Sequence, residues 1–145
     1  MNLTEFTRET LRGLPGVMVV IEDVKEDAQS SGLDATDLQT DAERGLSSAG
    51  IRVLEVEEWR ETPGRPWLYV SVNTLRHLGG YFFAIDVQLR QEVTLPGRPA
   101  LITSAPTWEL GSIGFVMADN LASQMRQSVQ THLQNFIEDC RAVNV

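Results

Sequence analysis

The chain has 145 residues and a mass of 16.1 kDa, the common size of a single domain, so one hydrophobic core is expected and no second domain. An apolar share of 42% and a charged share of 22% exclude a disordered or collagen-like chain. Twenty Asp and Glu against twelve Lys and Arg give a net charge of −8, which argues against nucleic acid or an anionic membrane as partner. The lone Cys140 makes no internal disulfide and excludes zinc ribbons and cysteine clusters.

Residues 1–13 read as an N-terminal arm or a short helix, with Leu3, Phe6, Thr10 and Leu11 near helical spacing and Gly13 as a stop. Residues 14–145 read as a single α+β domain. After Pro15 and Gly16, the β-branched run 17–24 predicts a buried strand. An acidic loop over 22–32 follows. Asp34 is a good N-cap for a helix that carries Leu38, Ala42, Leu46 and Ala49 on one face and ends at Gly50. Residues 51–58 alternate as a second strand, parallel to the first through a right-handed crossover.

Two prolines and a glycine make 60–66 a turn. The strand expected over 67–75 puts Leu68, Val70 and Val72 on one face, and Trp67, Tyr69, Ser71 and Asn73 on the other. A hairpin loop over 76–80 leads into 81–95, where Tyr81, Phe83, Ile85, Val87 and Leu89 alternate with Phe82, Ala84, Asp86, Gln88 and Arg90. Residues 96–99 turn the chain. Residues 100–110 then supply a fifth strand, placed at an edge because Pro106 cannot donate to a ladder. The last helix, over 119–142, carries a stripe of Leu121, Met125, Val129, Leu133, Phe136, Ile137 and Cys140. The order β-α-β-β-β-α predicts an α+β two-layer sandwich, a five-stranded mixed sheet with two helices on one face. The longest apolar runs, 17–21 and 81–85, fall far short of the about 20 residues of a spanning helix.

No motif fixes a chemistry. His77 falls in the hairpin loop and His132 on the flank of the last helix. Neither has a nucleophile motif nearby, and metal-ligand spacings are absent, so no catalytic residue, metal or cofactor is assigned. The acids cluster at Glu22, Asp23, Glu26 and Asp27 and at Glu55, Glu57, Glu58 and Glu61, a pattern of solvated faces. Cys140 closes an apolar stripe and reads as a small core residue. The stretch 107–114 reads as a strand end running into a glycine-spaced loop. Thr107, Trp108, Gly111 and Gly114 there are a candidate ligand or anion loop, with a tight turn as the plainer reading. Trp67, Tyr69 and Phe82 fall on the sheet face away from the helices. They are a candidate surface for a protein partner or a second copy, unless the N-terminal arm folds back over them.

The segments Leu14-Pro15-Gly16-Val17, Gly50-Ile51-Arg52-Val53-Leu54, Pro66-Trp67-Leu68-Tyr69-Val70 and Thr107-Trp108 resemble a family of small uncharacterised bacterial proteins usually made with export signals. The resemblance runs from about Leu11 to Asn144. More distantly, the layout is similar to the N-terminal domain of the translocation protein TolB and to the lipoproteins of penicillin-binding-protein activation and curli secretion. That likeness is carried by topology and one tryptophan. It implies a non-catalytic envelope module, periplasmic or secreted, that binds protein partners or itself. The chain departs from the pattern in lacking a leader or an anchor cysteine near residue 1, which leaves a cytoplasmic location as the alternative. Two further readings stand beside the binding module: a small-ligand or anion binder at 107–114, and a hydrolase working through the acidic clusters.

Overall fold

The structure is a computed structural model that describes residues 3–145, with side chains from Thr4 onward, so the apolar contact expected of the Leu3 side chain lies outside the described residues. Among these residues the chain forms α1 (Leu3–Glu9), β1 (Met18–Ile21), α2 (Glu26–Ser30), α3 (Ala35–Ser48) and α4 (Val56–Glu61). It continues through β2 (Trp67–His77), β3 (Gly80–Leu95), β4 (Arg98–Met117), a 3-10 turn at Ala118–Asn120 and α5 (Leu121–Val143). The strands form one sheet in the order β1-β2-β3-β4. β1 runs parallel to β2, and the other pairs are antiparallel.

The fold is therefore α+β with a mixed sheet, but the sheet has four strands rather than five, and five helices accompany it. The expected strand over 51–58 is the one that is missing. Only Val53 bridges β1, opposite Val17. Two backbone bonds hold that contact: Val17 N–H donates to Arg52 O at 2.9 Å, and Leu54 N–H donates to Val17 O at 2.8 Å. Past Leu54 the chain turns helical, with Glu57 and Glu58 in the first turn of α4, where the helix dipole favours acids. The parallel partner of β1 is thus β2. The close approach of 51–54 depends on Gly16, since a Cβ there would stand 2.6 Å from Arg52 O.

The helical layer follows from local signals. Asp34 Oδ1 accepts from Thr36 N–H at 2.8 Å and caps α3, and Gly50 takes φ +83 just beyond it. Leu38, Ala42 and Leu46 of α3 and Leu121, Met125, Val129, Leu133 and Phe136 of α5 are fully buried or nearly so. They meet Leu68, Val70, Ile85, Val87 and Leu89 of the sheet in one cluster. The N-terminal segment joins that side too. Leu11 is buried in the core, and Arg8 donates to Asp139 Oδ1 at 2.7 Å. The Cys140 thiol is 7% exposed and pushed up to about 12, by burial first and then by Asp139. His132 does not stay on the flank of α5. It is 8% exposed, and neither ring nitrogen has a partner among the described residues.

β2 and β3 pair from Trp67↔Arg90 to His77↔Gly80, and a two-residue turn, Leu78-Gly79, joins them. Both residues have positive φ, 46° and 79°, as a type I′ turn requires. Leu78 is a poor choice there, a branched side chain in a left-handed conformation and 85% exposed. Leu78→Asn is expected to stabilise the domain by about 1 kcal/mol, read from urea unfolding at constant m-value.

The second correction lies in β4. The stretch 107–114 is no loop but the middle of a 20-residue strand at the edge of the sheet. Gly114 sits opposite Phe83, and a Cβ there would come within 2.7 Å of the Phe83 ring. Gly111 sits opposite Asp86. Gly114 thus makes room for the Phe83 ring, while a Cβ at Gly111 would stand 3.2 Å from the Ile85 carbonyl oxygen.

Candidate binding face

α5 packs on β3 and β4, and α3 packs on β1 and α5. Strand alternation sends one set of side chains into that layer and the other set to the opposite face. On the opposite face lie Trp67, Tyr69, Ser71, Asn73 and Leu75 of β2, with Arg90, Gln88, Asp86, Ala84 and Phe82 of β3 paired beside them in that order. Glu109, Ile113 and Phe115 of β4 complete it. Among the described residues α1 packs on the helical side, with its main contacts to α5 and β4 and its Arg8 tied to Asp139.

The three aromatic candidates share the face but not a patch. Trp67 and Tyr69 are neighbours, their rings 5.7 Å apart and edge-on. Phe82 pairs with Leu75, eight residues further along β2, about 26 Å away at strand rise. Each end has its own surroundings.

At the Trp67 end the face is a groove of about 820 Å³. Met18, Val20, Trp59 and Trp67 make much of its apolar lining, and Arg65 and Glu92 stand at its margin. The far end of the β3–β4 hairpin forms the wall through Ile102 and Ser104. That hairpin extends past the start of β2 and is tied back by Glu92 N–H to Gly64 O at 2.8 Å. The Arg90 guanidinium lies 5.5 Å from the Trp67 ring centroid. Trp59 had no place in the expected site. It stands on α4, between the strand expected over 51–58 and the turn expected over 60–66, and acids at 57 and 58 after Glu55 were the available sign of a helix start there.

At the Phe82 end the surface is apolar and wet. Phe82 is 49% exposed, Phe115 46%, Ile113 85% and Leu75 64%. The Phe82 and Phe115 rings meet edge-on at 5.0 Å. An isolated exposed leucine would need no explanation, but a contiguous group does.

A polar band separates the two ends. Ser71 Oγ donates to Glu22 Oε2 at 2.7 Å, and Asn73 Nδ2 donates to Ser71 Oγ at 3.0 Å. Gln88 Nε2 donates to Asp86 Oδ2 at 2.8 Å, and Arg90 donates to Gln88 Oε1 at 2.9 Å. The Ser71 hydroxyl, then Tyr69, holds the Glu22 carboxyl below its usual range. Loss of solvent, then the Asp86 carboxyl, lifts Glu109 above it. A carboxyl whose pKa is raised by folding weakens the fold as pH climbs through that raised value. Glu109→Gln is therefore expected to unfold at a higher temperature than the parent at pH 7. The gain should vanish below the ordinary glutamate range, near 4.5.

The acidic clusters do not converge. Glu22 follows the end of β1, whereas 52–54 pair at Val17, before its start, and carry the chain into α4. Among the described residues no three His, Cys, Asp or Glu side chains group as a metal site would need. Thr107 and Trp108 belong to the other side of the molecule. Trp108 is 4% exposed, its ring 5.2 Å from Phe136, and Nε1–H donates to Asp139 Oδ2 at 2.9 Å. Gln91 donates to Thr107 Oγ1 at 2.9 Å.

No family model matches the chain, and no curated protein matches it either. A minor lipoprotein from Acinetobacter baumannii is similar in structure, with a TM-score of 0.43 and 12% sequence identity over 90% of this chain and 93% of that one. The kinship to exported bacterial proteins thus remains a resemblance in sequence. Among the described residues no helix is long and apolar enough to cross a membrane.

Proposed function

We propose that the chain is a non-catalytic binding or assembly module whose contact surface is the open face of the sheet. One observation carries this reading. A large apolar group, Leu75, Phe82, Ile113 and Phe115, lies exposed on the face opposite α3 and α5, which a small domain has no reason to keep wet unless something covers it. The groove at Trp67 and Trp59 gives the same face a second apolar hold, with the Glu22, Ser71 and Gln88 band between them for orientation. A place in the bacterial envelope belongs to the proposal through the sequence resemblance alone. A leader peptide encoded upstream of the native gene would support it.

Site-specific photocrosslinking in producing cells tests the surface. A photoreactive residue at Tyr69 or Phe82 is expected to give discrete protein adducts. The same residue at Ser123 or Gln134, exposed on the helical side, is expected to give none. Adducts from the helical positions only would overturn the proposal, and so would none from either side.

A further inference from the structure

We infer that the partner at the edge of this face is a second copy of the chain, joined β4 to β4 in a two-fold antiparallel pair. This rests on reading the open face as a contact surface and names what meets it. β4 is an edge strand, and Ala118 N–H donates to Gly79 O at 3.1 Å just past its end. Hydrogen-bonded pairs alternate along an antiparallel ladder. The backbone groups of residues 116, 114, 112 and 110 therefore face β3. Those of Glu109, Gly111, Ile113, Phe115 and Met117 face outward. Among the described residues no backbone hydrogen bond from outside β3 reaches 109–117.

Natural edges of this length are blunted by lysine, proline or a covering segment. The first half of β4 has Pro99 and Pro106, and Thr107 O accepts from the Thr10 hydroxyl. The half from 109 to 117 has none of these. The opposite edge of the sheet is covered, with Val17 bonded to 52–54 and Val19 O accepting from Gln39 Nε2 at 3.0 Å.

The charge distribution leaves room for a copy of the same chain. Residues 1–72 hold fourteen of the twenty acids and seven of the twelve bases, whereas β4 carries only Arg98 and Glu109. Two strongly acidic molecules meeting at β4 bring together their neutral strips.

The outward groups also fix the register. With Ile113 on the two-fold axis, Ile113 faces its own copy, Gly111 faces the copy's Phe115, and Glu109 faces the copy's Met117. Every outward N–H and C=O from 109 to 117 is then paired, no like charges are opposed, and Gly111 of each copy lies beside the other's Phe115 ring. The two open faces join on one side of an eight-stranded sheet.

Sedimentation equilibrium of the purified chain tests this. The parent is expected at twice 16.1 kDa at micromolar concentration. Ile113→Lys sets two ammonium groups against each other on the axis and should weaken the dimer about tenfold or more. Ile113→Pro removes an outward N–H that β3 does not use, and should do the same while leaving the far-ultraviolet spectrum native. Leu101→Lys adds the same charge outside 109–117 and should leave the dimer intact. A parent that stays monomeric to its solubility limit overturns the inference, as does an oligomer that survives both Ile113 substitutions. Photoadducts to another protein from Tyr69 or Phe82 would still stand in that case, so loss of the dimer and loss of the contact face are told apart.

Discussion

Phe136→Ala is expected to cost about 3–5 kcal/mol, the largest single effect in the molecule. Phe136 is fully buried on α5, and its ring meets Trp108 edge-on at 5.2 Å. It is a principal link between the long helix and β4. Removing the ring loses its transfer energy and leaves a cavity against a rigid sheet, which cannot collapse to fill it. A domain of this size has about 5–15 kcal/mol to lose. Thermal unfolding should fall by roughly 10–15 °C. Phe82→Ala removes the same side chain from the open face, where half of it is already wet, and should stay within about 0.5 kcal/mol. The contrast between two identical substitutions measures which side of the sheet holds the core.

Asp139→Ala should follow in size. Asp139 accepts from Trp108 Nε1–H at 2.9 Å on one oxygen and from Arg8 Nε at 2.7 Å on the other. The Arg8 pair is partly exposed and contributes little by itself. The indole N–H is the costly partner, because Trp108 is 4% exposed and the Asp139 carboxylate is its acceptor. An orphaned buried donor costs about 1–3 kcal/mol. Loss of the Arg8 contact should also loosen α1, seen as faster proteolysis ahead of Leu11. Asp139→Asn keeps an acceptor for the indole and should recover most of the stability but not the Arg8 contact. If Asn and Ala are equally damaging in chemical unfolding, the Trp108 hydrogen bond is not what Asp139 supplies.

Where local signals agreed with burial, the sequence could be read directly. α3 has a capping Asp34, apolar residues at 38, 42 and 46, and Gly50 to end it. β3 alternates from Tyr81 to Arg90, and α5 carries an unbroken stripe. The two failures share a cause, since each needed knowledge of the neighbouring element. Residues 51–54 are extended, but only Val53 finds a strand to pair with, so the segment does not become a fifth strand. Gly111 and Gly114 look like turn residues until Phe83 and Asp86 are seen opposite them. The alternation of Trp108, Leu110 and Val116 with Glu109, Ile113 and Phe115 was present all along. A 16-residue β3 also requires a partner of similar length. Misreading β4 hid Ile113 and Phe115, and missing the helix over 56–61 hid Trp59. The contact face was therefore legible at Trp67, Tyr69 and Phe82 but not in its extent. His132 lies three residues after Val129 and four before Phe136, the spacing of the buried stripe, and its polarity masked that signal.

Hydroxyl-radical footprinting of the chain, diluted until it is monomeric, tests the open face most directly. Phe82, Phe115 and Met117 should be oxidised readily, while Tyr81, Trp108 and Phe136, each no more than 4% exposed, should be protected. Phe82 and Tyr81 are adjacent in sequence and point to opposite sides of β3, so they report on the two faces at one position. Equal protection of Phe82 and Tyr81 in the monomer would mean that the chain covers this face itself, and would contradict its assignment as a contact surface.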